Sequence, residues 1–298
     1  LRRMKKFILL LTVLFLFCSF LQKEHPERVL LPNKENIVLV FAGDIMGHSP
    51  QFKAALNAKT GKYNYEDCFV HVKPFIEEAD FAVANLEVPL AGTPYSGYPN
   101  FSIPDALLDG LKLAGYDVML TANNHVVDRR KAGLERTIRT IKNRDLPHAG
   151  SYLNKQERDS IYPLILEKDS FRIALLNCTY GTNGIPVIAP NHVNMIDTVE
   201  IKRDIAFCEE LLADLIIMTI HWGNEYELEA SQAQKEFARF LVRSGVDLIV
   251  GSHPHVVQNM EYIQTGLKNV PVFYSLGNSI SNQRKPHTNG GIMLRAEI

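Results

Sequence analysis

Cysteine and tryptophan are scarce in this chain, neither sign of charge is in excess, and no apolar run reaches the length of a full membrane span. The 298 residues include 4 cysteines and 1 tryptophan. Cys18 falls in an N-terminal apolar segment, leaving Cys68, Cys178 and Cys208 with no C-x-x-C spacing among them. An odd number argues against a disulfide framework. Cys178, within IALLNC, and Cys208, on a helix-like stretch, read as small core residues, and Cys68 reads as packed rather than reactive. The 32 Lys plus Arg nearly balance the 33 Asp plus Glu, for a net charge of −1, so the footprint of a dedicated nucleic-acid binder is missing. Also missing are G-x-S-x-G, a P-loop and G-x-G-x-x-G, which counts against a serine hydrolase, a nucleotidase with a phosphate cradle and a Rossmann dehydrogenase. There is no internal repeat or low-complexity tract. What remains is 46% hydrophobic and 22% charged, enough to bury a large core in one or two domains.

The N-terminus reads as a targeting segment. Met4-Lys5-Lys6 lead into the uncharged run at residues 7–21, FILLLTVLFLFCSFL, a basic start followed by a signal-peptide-length apolar stretch. The expectation is a signal peptide or N-terminal anchor over residues 1–21, with export to the periplasm or cell envelope and a membrane contact if the segment is uncleaved. Leu1 to Arg3 read as translation upstream of the true start. Phe17 before Cys18 departs from a lipobox, which wants a small residue there. Residues 22–36 read as a polar linker, and residues 37–298 as one domain. The last strand ends at Ile298 without a polar tail, so a C-terminal truncation is expected.

Within that domain, short Val-, Ile- and Phe-rich runs at 36–42, 81–84, 116–120, 171–176, 215–220, 246–250, 270–275 and 291–296 predict strands buried on both faces. Helices are predicted at 51–59, 66–78, 103–115, 129–143, 198–213 and 230–244. Alternation of the two implies an α/β layer architecture.

The functional signal lies where the strands end. The first runs into Gly43-Asp44-Ile45-Met46-Gly47-His48, the next into Asn85-Leu86-Glu87, and the third into Thr121-Ala122-Asn123-Asn124-His125. Two more end at His221-Trp222-Gly223 and Gly251-Ser252-His253-Pro254-His255. Ligands of α/β sheets bind at the carboxyl ends of strands, so these residues are expected to converge. Asp44, Glu87, Asn124, His125, His221, His253 and His255 mix carboxylate, carboxamide and imidazole, a shell suited to Zn, Mn or Fe rather than Ca. That is more than one ion needs, and a bridging carboxylate holds two ions roughly 3.5–4 Å apart. Taken singly, Gly-Asp after a strand is an ordinary turn, and His71, His148 and His192 read as surface or core histidines.

GDIMGH, NLEVPL, TANNHVVD, HWGNEYE, GSHPHVVQ and YSLGNS, in this order, resemble the capsule-synthesis CapA family associated with poly-γ-glutamate biosynthesis, a relative of the calcineurin-like metallophosphoesterases. The resemblance runs from about Ile37 to the C-terminus. It implies a metallophosphoesterase-like β-sandwich of two sheets flanked by helices, with one or two divalent transition-metal ions. Asp44 matches the first motif, Glu87 the bridging carboxylate, Asn124 and His125 the Asn-His pair, His221 the lone His, and His253 and His255 the final pair. It implies metal ligation by these residues except His125, which would protonate the leaving group. Two departures stand out: Met46 replaces a ligating His, and Glu87 replaces a shorter Asp. His48 is a possible substitute ligand. The resemblance also implies an anionic surface polymer and other capsule-synthesis proteins as partners, with hydrolysis or transfer at a γ-glutamyl amide. Non-catalytic anchoring and a phosphodiesterase stay open as alternatives. Arg129, Arg130, Tyr95, Tyr98 and Asn278 are candidate substrate-binding residues, the tyrosines on a Gly/Pro/Tyr-rich loop at 89–104.

Overall fold

Strand β1 (Val38–Ile45) shows how the apolar runs are used. Leu39 and Phe41 point into a cluster shared with a second sheet, while Val40 and Ala42 enter another cluster with Leu107, Leu108 and Leu111 of a covering helix. A strand covered on both faces needs apolar residues at both phases of its period-2 alternation, hence an uninterrupted run.

The computed structural model describes residues 36–298, so the expectations for residues 1–35 lie outside the described residues. In the first sheet β1 runs parallel to β2 (Phe81–Leu86), followed by β3 (Val118–Leu120) and β4 (His148–Ala149). β13 (Asn278–Ile280), parallel, and β14 (Leu294–Glu297), antiparallel, also pair with β1. The second sheet has the order β11 (Met260–Thr265), β12 (Lys268–Phe273), β10 (Leu248–Ser252), β9 (Leu215–His221), β7 (Phe171–Thr179), β6 (Leu164–Lys168). Its inner strands are parallel and its two outermost pairings antiparallel. β5 (Ser151–Tyr152) and β8 (His192–Val193) form a separate antiparallel pair. Cluster residues of β1, β2 and β3 pack with those of β7, β9 and β10, making the two-sheet sandwich flanked by helices expected above. Close backbone approach is needed where the sheets carry their polar ends: a Cβ on Gly43 would lie 2.0 Å from the Gly277 carbonyl oxygen, and one on Gly251 2.0 Å from that of Tyr274.

Three expectations are corrected. The helix predicted over 66–78 is a short 3-10 turn, Glu66–Cys68, and a separate helix, Lys73–Glu77, because Pro74 is tolerated only in a first turn. Strands β6, β11 and β13 are not among those predicted: β6 and β13 have at most a three-residue apolar run, and β11 alternates exposed and half-buried residues, the pattern of an edge. Cys68 is exposed, although partial desolvation and then Asp67 raise its thiol pKa, whereas Cys178 and Cys208 are buried. Among the described residues no helix is long and apolar enough to cross a membrane.

His148 lies inside the core, 3% exposed, with its Nε2 lacking a hydrogen-bond partner. Burial, then Lys142, pushes its pKa down to about 4 from 6.5. A depressed folded pKa means that the unfolded chain takes up the proton first, so stability falls as pH drops from 6.5 towards 4. Linkage makes this about 2 kcal/mol between pH 7.5 and 5. Denaturant titrations of His148→Phe are expected to lose that part of the acid slope; an unchanged slope would show that the group is not held neutral.

Candidate metal centre

The parallel strands of both sheets end on the same edge. Asp44 is the penultimate residue of β1, Glu87 follows β2, Asn124 and His125 follow β3, His221 closes β9, and His253 and His255 follow β10. Residues more than two hundred positions apart in sequence therefore meet: the His255 Nδ1 lies 3.0 Å from Asp44 Oδ2.

Glu87 forms the floor. It is 0% exposed, neither carboxylate oxygen has a hydrogen-bond donor, and burial followed by the Asp44 charge pushes its pKa well above the usual range. Around it, His221 Nε2 is 3.3 Å and His255 Nε2 3.8 Å from Glu87 Oε1. Each of these rings is anchored through Nδ1, His221 by Ser252 Oγ at 3.0 Å and His255 by Asp44 and Asn278, which leaves Nε2 facing the carboxylate. Second partners of this kind orient metal-binding imidazoles. Burial and then the neighbouring His253 hold His221 well below its normal pKa, and burial and then His255 lower His253 to about 4. Neutral imidazoles are the ligating form. Asn124 Oδ1 lies 2.9 Å from His221 Nε2. Two groups of donor atoms, Asp44 with Glu87 and His255, and Glu87 with His221 and His253, each lie within 4.8 Å of one another.

A buried carboxylate without donors, beside the neutral imidazoles of His221 and His253, is costly unless a cation compensates it. The residues present therefore fit a divalent ion. His253 and His255 also sit at φ 100° and 58°, in the left-handed region, strain of the kind that collects at functional sites.

Beside this centre His125 Nδ1 is 2.8 Å from Asp128 Oδ2, both side chains buried, and its ring meets that of Phe101 edge-on at 4.8 Å. Asp128 also accepts the Phe101 N–H at 2.9 Å. Nδ1 is thus engaged, and Nε2 is left for proton transfer. His125 and His255 open onto a cavity of about 220 Å³, whose wall includes Met46, Tyr98 and Glu225. His48 lines the same cavity, edge-on to Phe101 at 5.3 Å, and stands outside the donor groups.

Other candidate residues sit elsewhere. Arg129 donates to the Phe101 and Pro94 carbonyls and to Ser96, clamping the 89–104 loop, and Arg130 is exposed outside the cavity. Tyr95 packs against Tyr63 and Phe52. Asn278 bonds His255, Gln283 and the Thr288 carbonyl, so it braces a histidine. Sequence reasoning missed Asn85, which donates to Asp44 at 2.8 Å; Asp128; Glu225; and the exposed Arg284 and Lys285 of the cavity wall. Asn85, Asp128 and Glu225 lie in stretches already singled out, Asn85-Leu86-Glu87, TANNHVVD and HWGNEYE, whereas Arg284 and Lys285 had no sequence signal and depend on a loop path.

The two-sheet sandwich, with candidate donors at one strand edge, is a metallophosphoesterase-like fold. Within that class, the family described as bacterial capsule synthesis protein PGA_cap matches residues 38–283, and the chain belongs to it. It is 27% identical to the capsule biosynthesis protein CapA of Bacillus anthracis, over 97% of this chain and 71% of that one. It is 25% identical to the PGA biosynthesis protein CapA of Bacillus subtilis, over 93% and 71%. A putative 5'-nucleotidase from Staphylococcus aureus shares the fold at a TM-score of 0.53 and 15% identity, covering 88% of this chain and 51% of that chain.

Proposed function

We propose that this protein is an exported, metal-dependent hydrolase or transferase of capsule biosynthesis that acts on a γ-glutamyl polymer. The observation that carries the reading is the donor-free buried Glu87, ringed by imidazoles and placed beside the His125–Asp128 pair. The relatives named for capsule and PGA biosynthesis support the substrate class. Export to the cell envelope rests on residues 1–21, and other capsule-synthesis proteins are the proposed partners.

Asp44, Glu87, Asn124, His221, His253 and His255 would hold the metal. A bound divalent ion supplies a Lewis acid and lowers the pKa of water towards neutrality. Asp128 holds His125 by Nδ1, so that Nε2 is the atom that delivers a proton to the leaving nitrogen of a γ-glutamyl amide. Phe101 fixes the ring plane. Arg284 and Lys285, the latter stacked on Tyr226 with Nζ 3.6 Å from the ring centroid, place positive charge on the cavity wall for side carboxylates of the polymer.

The test is elemental analysis of the full chain and of the His253→Ala/His255→Ala variant, followed by assays on poly-γ-glutamate and on a phosphodiester. Metal bound by the wild type and lost from the variant, with cleavage or transfer of the polymer, is expected. Metal binding with turnover of the phosphodiester alone would favour the phosphodiesterase reading, and polymer binding without turnover would favour anchoring. Arg284→Glu/Lys285→Glu is expected to raise KM for the polymer by about tenfold while leaving kcat in place, since charge-assisted contacts contribute roughly 1.5–3 kcal/mol. An unchanged KM would remove these residues from recognition.

A further inference from the structure

A third donor group overlaps the two already described: Glu225, His253 and His255, again within 4.8 Å of one another. Glu225 lies within HWGNEYE, where the family resemblance assigns a role to His221 alone. It follows β9 on the turn Gly223-Asn224-Glu225-Tyr226, where Gly223 and Tyr226 take φ 88° and 69°. Those left-handed residues fold the turn back on itself, and the Tyr226 N–H donates to the Pro254 carbonyl at 2.8 Å. Pro254 lies between the two histidines. The Glu225 turn is therefore tied to the backbone that carries both ligands.

Glu225 and Glu87 approach the histidines differently. Glu87 is wholly buried, whereas Glu225 is exposed and lines the cavity. Met46 lies in the same cavity wall, at the position where the wider superfamily has a ligating His. A thioether is a soft, weak donor and a poor substitute for imidazole on Zn, Mn or Fe. The group of Asp44, Glu87 and His255 is thus one strong donor short, and it shares His255 with the Glu225 group.

We infer that Glu225 is a metal ligand, supplying from the cavity rim the donor that Met46 does not provide and completing the shell of the ion held by Asp44, Glu87 and His255. This rests on the metal-dependent reading above. It also makes that ion the more exposed of two, bound by a loop residue rather than wholly by strand ends.

The experiment is calorimetric titration of Mn(II) into the metal-free full chain, with stoichiometry read by elemental analysis and coupling of paired ions by electron paramagnetic resonance. Wild type is expected to bind two ions. Glu225→Gln is expected to keep one and to bind the other at least about tenfold more weakly, with loss of the coupled signal. Glu225→Asp should be intermediate. Met46→His in the Glu225→Gln background should restore the second ion; because Met46 is buried, the single variants stand on their own if that protein does not fold. Glu225 is exposed, so the melting temperature of metal-free Glu225→Gln should equal that of wild type. Wild-type stoichiometry and affinity in Glu225→Gln would overturn the assignment and leave the metal-dependent reading standing. No bound ion in wild type would overturn both.

Discussion

Replacing Glu87 with glutamine is expected to abolish tight metal binding and, in the same protein, to raise the stability of the metal-free state. The carboxylate has no donor to either oxygen and no exposure, and burial together with Asp44 opposes its ionisation. A raised folded pKa contributes stability that is fully present below the unfolded value of 4.5 and lost as pH rises through the folded value. The metal-free wild type is therefore penalised most at alkaline pH, and the amide, which does not ionise, escapes the penalty. Leaving a charge buried and uncompensated costs about 3 kcal/mol, or roughly 5 to 10 °C in Tm for a domain of this size. Melting curves in chelator at pH 6 and pH 8 should show the variant above wild type, by more at pH 8. With Zn or Mn added the order should reverse, because only the wild type gains binding energy. A metal-free variant that melts below wild type at pH 8 would mean that the carboxylate is already satisfied by the protein.

Loss of the His125 imidazole should cost turnover without costing metal. General acid catalysis by a positioned side chain contributes about 10²–10⁴-fold, and His125→Ala is expected to lose that much of kcat on the polymer with unchanged metal content. The Asp128 carboxylate acts through His125, at 2.8 Å, and touches no substrate. Asp128→Asn should lower kcat by a smaller factor, on the order of tenfold, and move the pH profile of kcat, which a purely structural role would not. A His125→Ala protein that cleaves the polymer as fast as wild type would end this assignment.

Much of the centre was legible before the fold was seen, for one reason. A strand buried on both faces is apolar until it leaves the core, so the first polar residues after IVLVFAG, FAVAN, VMLTAN, LIIMTI and LIVGS mark where each strand reaches solvent or a ligand. Asp44, Glu87, Asn124, His221, His253 and His255 are such residues, and the parallel strands bring them together. The edge strands were not legible by the same rule, since Met260–Thr265 needs apolar residues on only part of one face. Arg129 read as a substrate contact because a guanidinium beside the Asn-His loop suits a carboxylate; the carbonyls of Pro94 and Phe101 lie nearer and take its donors. Tyr95 was expected at the cleft with Tyr98, but only Tyr98 lines the cavity, because Tyr63 and Phe52 hold the other ring.

By itself, then, the sequence determined the strand cores and the polar residues at their ends, both of which follow from local patterning, while the significance of Met46 came from the family resemblance. Tertiary structure alone decided that Glu225 stands beside His253 and His255, that Asp128 rather than solvent meets His125 Nδ1, and that Arg284 and Lys285 reach the cavity from a segment more than a hundred and fifty residues beyond His125. Those placements depend on how loops return to the strand edge. No period in the chain encodes that path, because a loop's course is set by the hydrogen bonds and contacts it finds after the sheets have assembled.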